Sequence, residues 1–455
     1  MDPRELLLAF DAGTSSVRAQ LLRLPASPEE LPAESGPLIR VPYSSQPDPQ
    51  ELDPDLWLGC VEMALVEAAA GAAPALLAGV TFFHGLLGLD EEGRPLTPLY
   101  TWADTHSGVA ASRLASILDP LAYHQQTGCF LHPCFPLARL ARLTQEHPGL
   151  WPLVDRWVSP AGWLHRAWTA SPSVTHAIAA GSGLYDLGRQ DWLDGQILRA
   201  VGVARERLED LLPPDCSWLP VPSAAVKGRG RPPASVRWLL PVFPDAVASN
   251  LGAGCSRPDR FALNLGTSGA LRAIVGEPLP SPIPDKLFCY RIDGKRALLG
   301  GAVSNCGSLI EWLARVLRLE PWPRSYANLA AAVATERTPL PSAAPDLAGQ
   351  RSPHWPAAAS GTWEGLRLET TPEAMALAML DAVADQFGEL AAALIGAIGR
   401  PRRVVAGGGG TADPSWVARL AEAMELPIEI APCRETTLLG VAVHAASHSR
   451  QVSYP

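Results

Sequence analysis

The sequence predicts an α/β fold with mixed sheets, divided between two related domains. Short apolar runs typical of buried strands alternate with helical segments in both halves of the chain, which is the pattern of α/β proteins. One pattern also occurs twice: residues 6–10 lead into the turn DAGTSS at 11–16, and residues 261–264 lead into LGTS at 265–268. The length of 455 residues exceeds what one core usually supports and suits two or three domains.

The composition indicates a globular protein and argues against nucleic acid as its partner. The chain is 47% hydrophobic and 18% charged, and its net charge of −9 argues against nucleic acid, which needs a basic surface. The N-terminal apolar run is too short for a signal peptide, and no segment has the roughly 18 apolar residues that span a membrane. The eight cysteines contain no CxxC pair and indicate reduced thiols, so we expect a cytoplasmic protein with no membrane partner.

The first half begins with a strand, a turn and a second strand. The elements expected before residue 101 are, in order, a strand at 6–10, a strand at 17–24 that closes a hairpin around the 11–16 turn, a Pro-rich loop at 25–54, a helix at 55–70, a strand at 77–83 and a hairpin at 86–100. Asp53 and Pro54 have the residue types of an N-cap and a first helical position.

Residues 101–180 are predicted to be mostly helical, and 157–168 is the clearest helix among them. The segment 213–244 is dense in Pro, Arg and Gly, which predicts irregular structure and the passage between domains. The elements expected after it are a helix at 245–254, strands at 261–265 and 271–275, helices at 303–317 and 372–398, a strand at 402–406, and helices at 414–424 and 437–446.

The turn at 11–16 has the residues of a phosphate loop. Gly13 permits a tight turn with close backbone approach. The hydroxyls of Thr14 and Ser15 and the backbone N–H groups can hold phosphate oxygens, and Arg18 adds positive charge. Asp11 offers a carboxylate, which a hard cation such as Mg²⁺ prefers. An ordinary hairpin turn is the alternative, but the second copy favours a phosphate site.

The second copy differs because Asn264 occupies the position of Asp11, so only the first copy is predicted to handle metal. Residues 407–410 are four consecutive glycines between a predicted strand and a predicted helix. Such a run costs backbone entropy and predicts close approach of a ligand, here an adenosine, with a flexible loop as the alternative. The segment 300–307 is a similar but weaker case.

Four polar residues are candidate substrate groups. Asp245 lies at the junction of the halves, where a carboxylate can accept a proton from a substrate hydroxyl, although it could equally be a helix N-cap. His84, Trp102 and Asp104 lie near strand ends and can line a sugar site, but each could be an ordinary core or surface residue. Phosphoryl transfer needs cradled phosphates, a metal and a base, and domain closure would exclude water as the acceptor.

Taken together, these motifs resemble those of the FGGY carbohydrate kinases, a branch of the ATPase superfamily that includes actin, hexokinase and the 70-kilodalton heat-shock chaperones. The resemblance covers almost the whole chain. The five matching segments, in order, are 11–18, 265–270, 300–312, 351–366 and 404–416.

The resemblance implies two actin-like, ribonuclease H-like domains, at 1–247 and 248–455, with the active site between them. It also implies that sugar binding drives closure and that ATP and Mg²⁺ are the cofactors. Asp245 is implied as the catalytic base, and Asp11 and Asp245 as the residues near the metal. The implied substrate-binding residues are His84, Trp102, Asp104, Cys134 and Asp245. The implied ATP-binding residues are Gly13, Thr14, Ser15, Arg18, Gly266, Thr267, Gly307, Glu311, Gly409 and Gly410. A homodimer is a family-level expectation.

Segments 83–85, 96–104 and 245–252 look most like the gluconate kinase branch. The resemblance therefore implies phosphorylation of D-gluconate at its 6-hydroxyl, with xylulose or another ketose or polyol as the alternative. The chain departs from the family pattern at four positions, which are His106 for the usual Arg, Gln350 for a common Glu, Pro356 for a frequent Asp, and Cys134 for a frequent aromatic. The departures at His106 and Cys134 bear on the substrate.

Two alternatives come from other functional classes. An actin-like ATPase switch or chaperone would use the same fold, but it would leave Asp245 and the segment 102–104 without a role. A sugar-binding protein without strong kinase activity is the other alternative.

Overall fold

The computed structural model describes residues 6–25, 32–43, 50–169, 171–222, 230–319, 325–336, 339–347, 349–356, 359–433 and 435–449. It divides into two compact units. The first unit comprises Met1–Gly252, Tyr290–Ala297 and Thr436–Pro455, and the second comprises Ala253–Cys289 and Leu298–Glu435. Within the described residues, none of the helices is both long and apolar enough to cross a membrane.

The strands are β1 (Leu6–Ala12), β2 (Ser16–Arg23), β3 (Ala33–Glu34), β4 (Ile39–Pro42), β5 (Glu51–Leu52), β6 (Leu76–Thr81), β7 (Leu87–Leu89), β8 (Leu99–Tyr100), β9 (Arg156–Val158), β10 (Ser173–Val174), β11 (Tyr185–Asp186), β12 (Asp191–Trp192), β13 (Asp210–Leu211), β14 (Leu219–Pro220), β15 (Trp238–Leu239), β16 (Phe243–Pro244), β17 (Arg260–Leu265), β18 (Gly269–Gly276), β19 (Phe288–Arg291), β20 (Arg296–Val303), β21 (Ser342–Ala344), β22 (Thr362–Glu364), β23 (Arg403–Gly407) and β24 (Ile428–Ile430). The α-helices are α1 (Pro54–Ala69), α2 (Gly108–Ile117), α3 (Pro120–Thr127), α4 (Pro136–Glu146), α5 (Pro160–Thr169), α6 (His176–Ala180), α7 (Gln196–Ala200), α8 (Asp245–Gly252), α9 (Gly307–Val316), α10 (Tyr326–Glu336), α11 (Pro372–Ile398), α12 (Pro414–Met424) and α13 (Thr436–Ser449).

The first unit is built on a mixed sheet with strand order β14-β15-β6-β1-β2-β3, in which β16 also pairs with β6 and β4 with β2. β1 runs parallel to β6 and antiparallel to β2, and β16 also runs parallel to β6. β1 is buried along its whole length. Its Phe10 packs edge-on against Trp168 of α5, with ring centroids 5.7 Å apart. The apolar run at the start of the chain is therefore the centre of this core.

The second unit has a mixed sheet with strand order β19-β20-β18-β17-β23-β24. β17 pairs antiparallel with β18 and parallel with β23. The long helix α11 begins where Thr371 caps it, because the Thr371 hydroxyl accepts the N–H of Ala374 and Pro372 occupies the first helical position. α11 packs against α10 and α12. The predicted α/β fold with mixed sheets in both halves is confirmed.

Several local predictions are also confirmed. The predicted helices at 372–398 and 414–424 coincide with α11 and α12, and the predicted helix at 55–70 corresponds to α1. Asp53 caps α1 as expected, because its side chain accepts the N–H groups of Asp55 and Leu56 at 2.9 and 3.0 Å. These elements were predictable because caps and 3.6-residue periodicity are local properties of the sequence.

Other local predictions hold only in part. The predicted hairpin at 86–100 has antiparallel bridges from Leu86 to Tyr100 and from Leu89 to Pro95 and turns at 90–93, but its strand β7 pairs with the distant strand β9. The helix predicted at 157–168 begins only at Pro160, because Arg156–Val158 form β9 and pair with β7. The helix predicted at 303–317 begins at Gly307, because Val303 still belongs to β20.

The two segments predicted as loops also contain strands. Within the Pro-rich segment 25–54, β4 extends the sheet by pairing with β2. Within 213–244, β15 and β16 both pair with β6. The helix predicted at 245–254 ends at Gly252.

The compact units differ from the predicted domains at 1–247 and 248–455. The predicted boundary falls inside α8, whereas the first unit continues to Gly252. The helix α13 and the segment Tyr290–Ala297 also group with the first unit, although they follow the boundary in sequence.

Helices α8 and α13 of the first unit pack backbone to backbone. A Cβ atom on Gly440 would lie 1.8 Å from the carbonyl oxygen of Ala248, and a Cβ atom on Gly252 would lie 1.8 Å from that of Thr436. Neither distance leaves room for a carbon atom, and the opposing atoms belong to the backbone of a helix. This packing therefore depends on glycine at both positions.

We expect Gly440→Ala to lower the free energy of unfolding by about 1–3 kcal/mol, because the added methyl group must push the two helices apart. The matched control is Gly396→Ala in α11, where a Cβ atom would meet nothing within 4 Å. Since alanine favours helix, the control should gain about 0.5–1 kcal/mol. Calorimetric melting of both variants measures this, and an unchanged melting temperature for Gly440→Ala would contradict the packing.

Candidate active site

Two carboxylates of the first unit lie at one edge of its sheet, on either side of β6. Asp11 is in β1, opposite Val80 of β6. Asp245 follows Pro244 of β16, which is opposite Thr81 of β6. Because β1, β6 and β16 are parallel and neighbouring strands lie about 4.8 Å apart, about 10 Å separates the two backbones. Carboxyl ends of parallel strands are where α/β sheets bind ligands.

Thr81 ends β6 between these two carboxylates. Its side chain is fully buried at 0% exposure, and its Oγ1 has no hydrogen-bond partner in the described part of the chain. A buried hydroxyl without a partner costs about 1–3 kcal/mol, so this edge is suited to a polar ligand. Thr81 was not identified from the sequence, where its only signal is its position as the last residue of a buried apolar strand.

Asp245 begins α8, and its Oδ1 accepts the backbone N–H of Ala246 at 2.7 Å. The side chain is half-buried. Asp245 is therefore the first residue of α8 rather than a residue that caps it from outside, and it lies at the carboxyl edge of the sheet.

The first phosphate turn is held by two aromatic side chains. The hydroxyl of Tyr43 and the indole Nε1 of Trp57 both donate to the carbonyl oxygen of Gly13, at 3.0 and 3.3 Å. Burial raises the pKa of the Tyr43 hydroxyl, with a further contribution from the nearby Asp11, so it remains a donor. The turn thus has a fixed backbone, while Thr14 is half-buried and Ser15 is exposed. Neither aromatic anchor was identified from the sequence, because both are distant from the turn.

Asp11 and Arg18 form an ion pair between Oδ2 and Nη2. They are direct neighbours across the β1–β2 hairpin. Asp11 is only 3% exposed, so the guanidinium compensates a buried carboxylate. The sequence predicted separate roles for them, one with metal and one with phosphate, but the structure joins them in one pair.

The side-chain oxygen atoms at this edge are of the kind that binds Mg²⁺ in proteins. Asp11 and Asp245 carry carboxylate oxygens, and Thr81 adds a buried hydroxyl oxygen. Proteins usually hold Mg²⁺ through one or two carboxylates together with substrate phosphates. The residues described contain no group of three or more His, Cys, Asp or Glu side chains that could hold a metal ion.

In the second unit, the second Gly-Thr-Ser turn is tied to the start of α9. The N–H of Gly307 donates to the carbonyl oxygen of Gly266 at 2.9 Å, and the N–H of Ser308 donates to that of Thr267 at 3.1 Å. A Cβ atom on Gly307 would lie 2.8 Å from the Gly266 carbonyl oxygen, so glycine permits the contact. Glu311 lies one turn further along α9 and is exposed. The predicted ATP residues of these two segments are therefore neighbours.

The four-glycine loop adjoins the same turn. β23 runs parallel to β17, with Gly407 opposite Asn264, so both strands present their carboxyl ends together. Gly408 has φ 97°, and a Cβ atom on it would lie 2.6 Å from the carbonyl oxygen of Leu265. Gly409 differs, because nothing lies within 4 Å of its Cβ position. The loop has a fixed base at Gly408 and open space at Gly409.

His84 follows β6 by three residues and has a left-handed backbone, with φ 66°. Its Nδ1 lies 2.5 Å from the carbonyl oxygen of Gly181, and because that oxygen can only accept, Nδ1 carries a hydrogen. The ring lies against Phe135 and Tyr290, with centroids 4.7 and 5.8 Å away. Its place after β6 puts His84 at the same edge as Asp245.

Asp104 is fully buried in a network of donors. Its Oδ2 accepts from Arg139 Nε at 2.8 Å and from Arg142 Nη2 at 3.2 Å, and its Oδ1 accepts from the backbone N–H and the Nδ1 of His106 at 3.0 and 2.9 Å. Burial acts to raise the pKa of Asp104, but Arg139 and the other donors outweigh it and the pKa is lowered. Asp104 is thus an ionised carboxylate committed to protein groups.

The other predicted substrate residues lie around this network. Trp102 is half-buried beside it, and Cys134 is 3% exposed and precedes Phe135, whose ring contacts His84. Arg139 of α4 was not identified from the sequence, where it is one of two arginines in an amphipathic helix. No local signal could have identified it.

A cavity of about 30 Å³ lies behind His84 and is lined in part by Trp157, Ser159 and Glu209. The Ser159 hydroxyl donates to Glu209 Oε1 at 3.0 Å. Burial raises the pKa of Glu209 to about 8, so this carboxyl holds its proton at neutral pH. The indole Nε1 of Trp157 is buried without a hydrogen-bond partner among the described residues. The cavity is large enough for a water molecule between these polar groups.

Two of the four departures from the family pattern, at Gln350 and Pro356, lie in the second unit. Gln350 Nε2 donates to both carboxylate oxygens of Asp346 at 3.1 Å. Glutamine is suited to this position, because a glutamate would oppose a second carboxylate. Pro356 is exposed.

Two family models match the chain. The N-terminal domain of the FGGY family of carbohydrate kinases matches residues 6–217, and its C-terminal domain matches residues 261–449. The chain belongs to this family. It is therefore a carbohydrate kinase, a phosphotransferase that acts on an alcohol group, and the family implies ATP as its second substrate.

Curated relatives of this kinase carry several substrate names. The chain is 24% identical to a gluconokinase of Bacillus subtilis, over 96% of this chain and 86% of that protein. It is 26% identical to a xylulose kinase of Klebsiella pneumoniae, over 93% of this chain and 86% of that protein. It is 28% identical to a glycerol kinase of Geobacter sp., over 96% of this chain and 89% of that protein.

Solved structures show the same fold. A gluconate kinase from Lactobacillus acidophilus superposes with a TM-score of 0.84 at 23% identity, covering 99% of this chain and 90% of that one. A ligand-bound xylulose kinase from the same organism gives a TM-score of 0.84 at 24% identity, with the same coverage. The predicted two-domain actin-like fold of the family is thereby confirmed.

We expect Gly409→Ala to raise the KM for ATP about tenfold or more while leaving the melting temperature nearly unchanged. The protein itself leaves the Cβ position open, so a methyl group there would conflict only with a bound nucleotide. The matched variant Gly408→Ala should instead destabilise the protein, because that Cβ would meet backbone. Equal KM values for wild type and Gly409→Ala would remove this loop from the nucleotide site.

Proposed function

We propose that this carbohydrate kinase transfers the γ-phosphoryl group of ATP to the 6-hydroxyl of D-gluconate, with Asp245 as general base. The observation that carries the proposal is the position of Asp245 across β6 from Asp11, at the carboxyl edge of the first unit's sheet. A carboxylate at this edge can accept the hydroxyl proton as the oxygen attacks phosphorus.

The groups around Asp245 support sugar binding. His84 lies at the same edge, and its Nδ1–H bond to the Gly181 carbonyl fixes the orientation of a ring that we propose contacts the sugar. Trp102 and Cys134 lie around the network behind His84, and we propose that they line the sugar together with it. In this proposal Asp104 supports the sugar site without contacting the sugar, because its oxygens are already bonded to Arg139, Arg142 and His106.

Each unit contains groups that suit the phosphates of ATP. In the second unit, Gly266, Thr267 and Gly307 form a bonded cluster beside the open space at Gly409. In the first unit, the turn at 13–15 presents the hydroxyls of Thr14 and Ser15. Asp11 and Asp245 would hold Mg²⁺, which when bound neutralises phosphate charge. Asp11 would then hold the metal and Arg18 would pair with phosphate, so neither charge of the Asp11–Arg18 pair would be left uncompensated.

Gluconate is favoured over other acceptors on two grounds. The segments 83–85, 96–104 and 245–252 resemble the gluconate kinase branch, and gluconokinases are among the curated relatives. Xylulose is the second candidate, because xylulose kinases of comparable identity and an equal TM-score are also similar to this chain.

A substrate panel tests the acceptor. We expect ADP release, measured with a coupled assay, to depend on sugar and to be fastest with D-gluconate among gluconate, xylulose and glycerol. Mass spectrometry of the product should show one added phosphoryl group, and NMR should place it on the 6-oxygen. Turnover of xylulose without turnover of gluconate would refute the acceptor, and ADP release independent of any sugar would refute sugar phosphorylation.

We expect Asp245→Asn to lower kcat by about 10²–10⁴-fold, because an amide cannot accept the hydroxyl proton. The amide oxygen still accepts the Ala246 N–H, so the melting temperature should change little. Asp55→Asn is the matched control, since Asp55 is an exposed carboxylate in the first turn of α1. Near wild-type turnover by Asp245→Asn would show that another group accepts the proton.

A further inference from the structure

We propose that Arg139 is a positioning residue for the sugar site, which holds His84 in its left-handed conformation and fixes which imidazole nitrogen faces the sugar. This inference rests on the proposed function, in which His84 contacts the sugar. Arg139 itself is buried behind the site and touches neither sugar nor nucleotide in this scheme.

The guanidinium of Arg139 joins three segments of the chain. Nε donates to Asp104 Oδ2 at 2.8 Å, Nη1 donates to the carbonyl oxygen of His84 at 3.0 Å, and Nη2 donates to the carbonyl oxygen of Thr101 at 2.7 Å. The residue is 0% exposed. The guanidinium of arginine is planar and carries five N–H donors in a fixed fork. One side chain can therefore bond three acceptors in these directions.

His84 needs such support because its backbone is unfavourable. A φ of 66° is uncommon for a residue other than glycine, and it persists only where the surroundings impose it. The carbonyl group held by Arg139 belongs to this same residue. The bond therefore acts directly on the backbone that is strained.

Helix α4 delivers two contacts to His84 from adjacent turns. Phe135 is the N-cap residue of α4, and its ring lies 4.7 Å from the His84 ring. Arg139 is four residues later, on the same side of the helix, and bonds the His84 carbonyl. One contact fixes the ring and the other fixes the backbone, so the direction of the imidazole follows from the position of α4.

Asp104 keeps Arg139 in place. Its carboxylate is fully buried and bonds both Arg139 and Arg142. Asp104 thereby orients the fork towards the two carbonyl groups. The consequence for the sugar is a fixed orientation of the His84 ring, with Nδ1–H directed at the Gly181 carbonyl.

The test compares Arg139→Lys with the matched control Arg142→Lys. Lysine keeps the charge but loses the fork, so Arg139→Lys should raise the KM for D-gluconate about 10- to 100-fold, with the KM for ATP within about threefold of wild type. Arg142 also bonds Asp104, but its bonds go to carboxylates and not to the His84 carbonyl. Arg142→Lys should therefore change the sugar KM by less than about threefold. Equal effects of the two variants would overturn the proposal.

A spectroscopic readout separates positioning from general loss of structure. Nitrogen-15 shifts of the His84 ring should show the Nδ1–H tautomer in the wild type and in Arg142→Lys, and a mixture of tautomers in Arg139→Lys. If Arg139→Lys fails to fold, the double variant Asp104→Asn/Arg139→Gln removes both buried charges together and should show the same tautomer mixture. An unchanged His84 spectrum in the folded variant would refute the role of Arg139.

A double-mutant cycle distinguishes failure of this inference from failure of the proposed function. If Arg139 acts through His84, adding Arg139→Lys to His84→Ala should raise the sugar KM by less than about threefold beyond His84→Ala alone. Additive effects would overturn the inference. If His84→Ala leaves the sugar KM unchanged while the ring shifts still respond to Arg139→Lys, the proposed sugar site is wrong although the conformational role of Arg139 stands.

Discussion

The parallel pairing of β6 with β1 on one side and β16 on the other is the constraint on which the first unit's site depends. This register brings Asp11, Thr81 and Asp245 to one edge of the sheet, although the last of these is more than 160 residues from the others in sequence. A shift of one residue in a strand would turn its side chains to the opposite face. The site is therefore as well defined as the core packing that fixes the register, including the contact of Phe10 with Trp168.

The two Gly-Thr-Ser turns show how one sequence pattern is stabilised in two ways. The first is held by side chains, because Tyr43 and Trp57 donate to the Gly13 carbonyl. The second is held by backbone, because the first N–H groups of α9 donate to the carbonyls of Gly266 and Thr267. Since the helix N–H groups are used in this way, the second turn and the start of α9 form one rigid piece. The repeat thus predicts similar ligand chemistry but not similar anchoring.

Sequence patterns predicted the elements that depend on neighbours in the chain. The helices α11 and α12 were predicted within their own segments, and in the structure Thr371 and Asp413 cap them. The pairing of β7 with β9 could not be predicted, because about 70 residues separate the strands and the turn between them favours a local hairpin. The same limit applied to Thr81 and Arg139, whose roles arise only when distant segments meet.

The environment of Asp104 explains how the chain departs from the family pattern without losing charge balance. The resemblance places an arginine where this chain has His106. A buried carboxylate without a cation would be costly or would take up a proton. Here Arg139 and Arg142 of α4 supply two guanidiniums to Asp104, and His106 adds its backbone N–H and Nδ1. Because these donors already hold Asp104 ionised, position 106 is released from providing the charge.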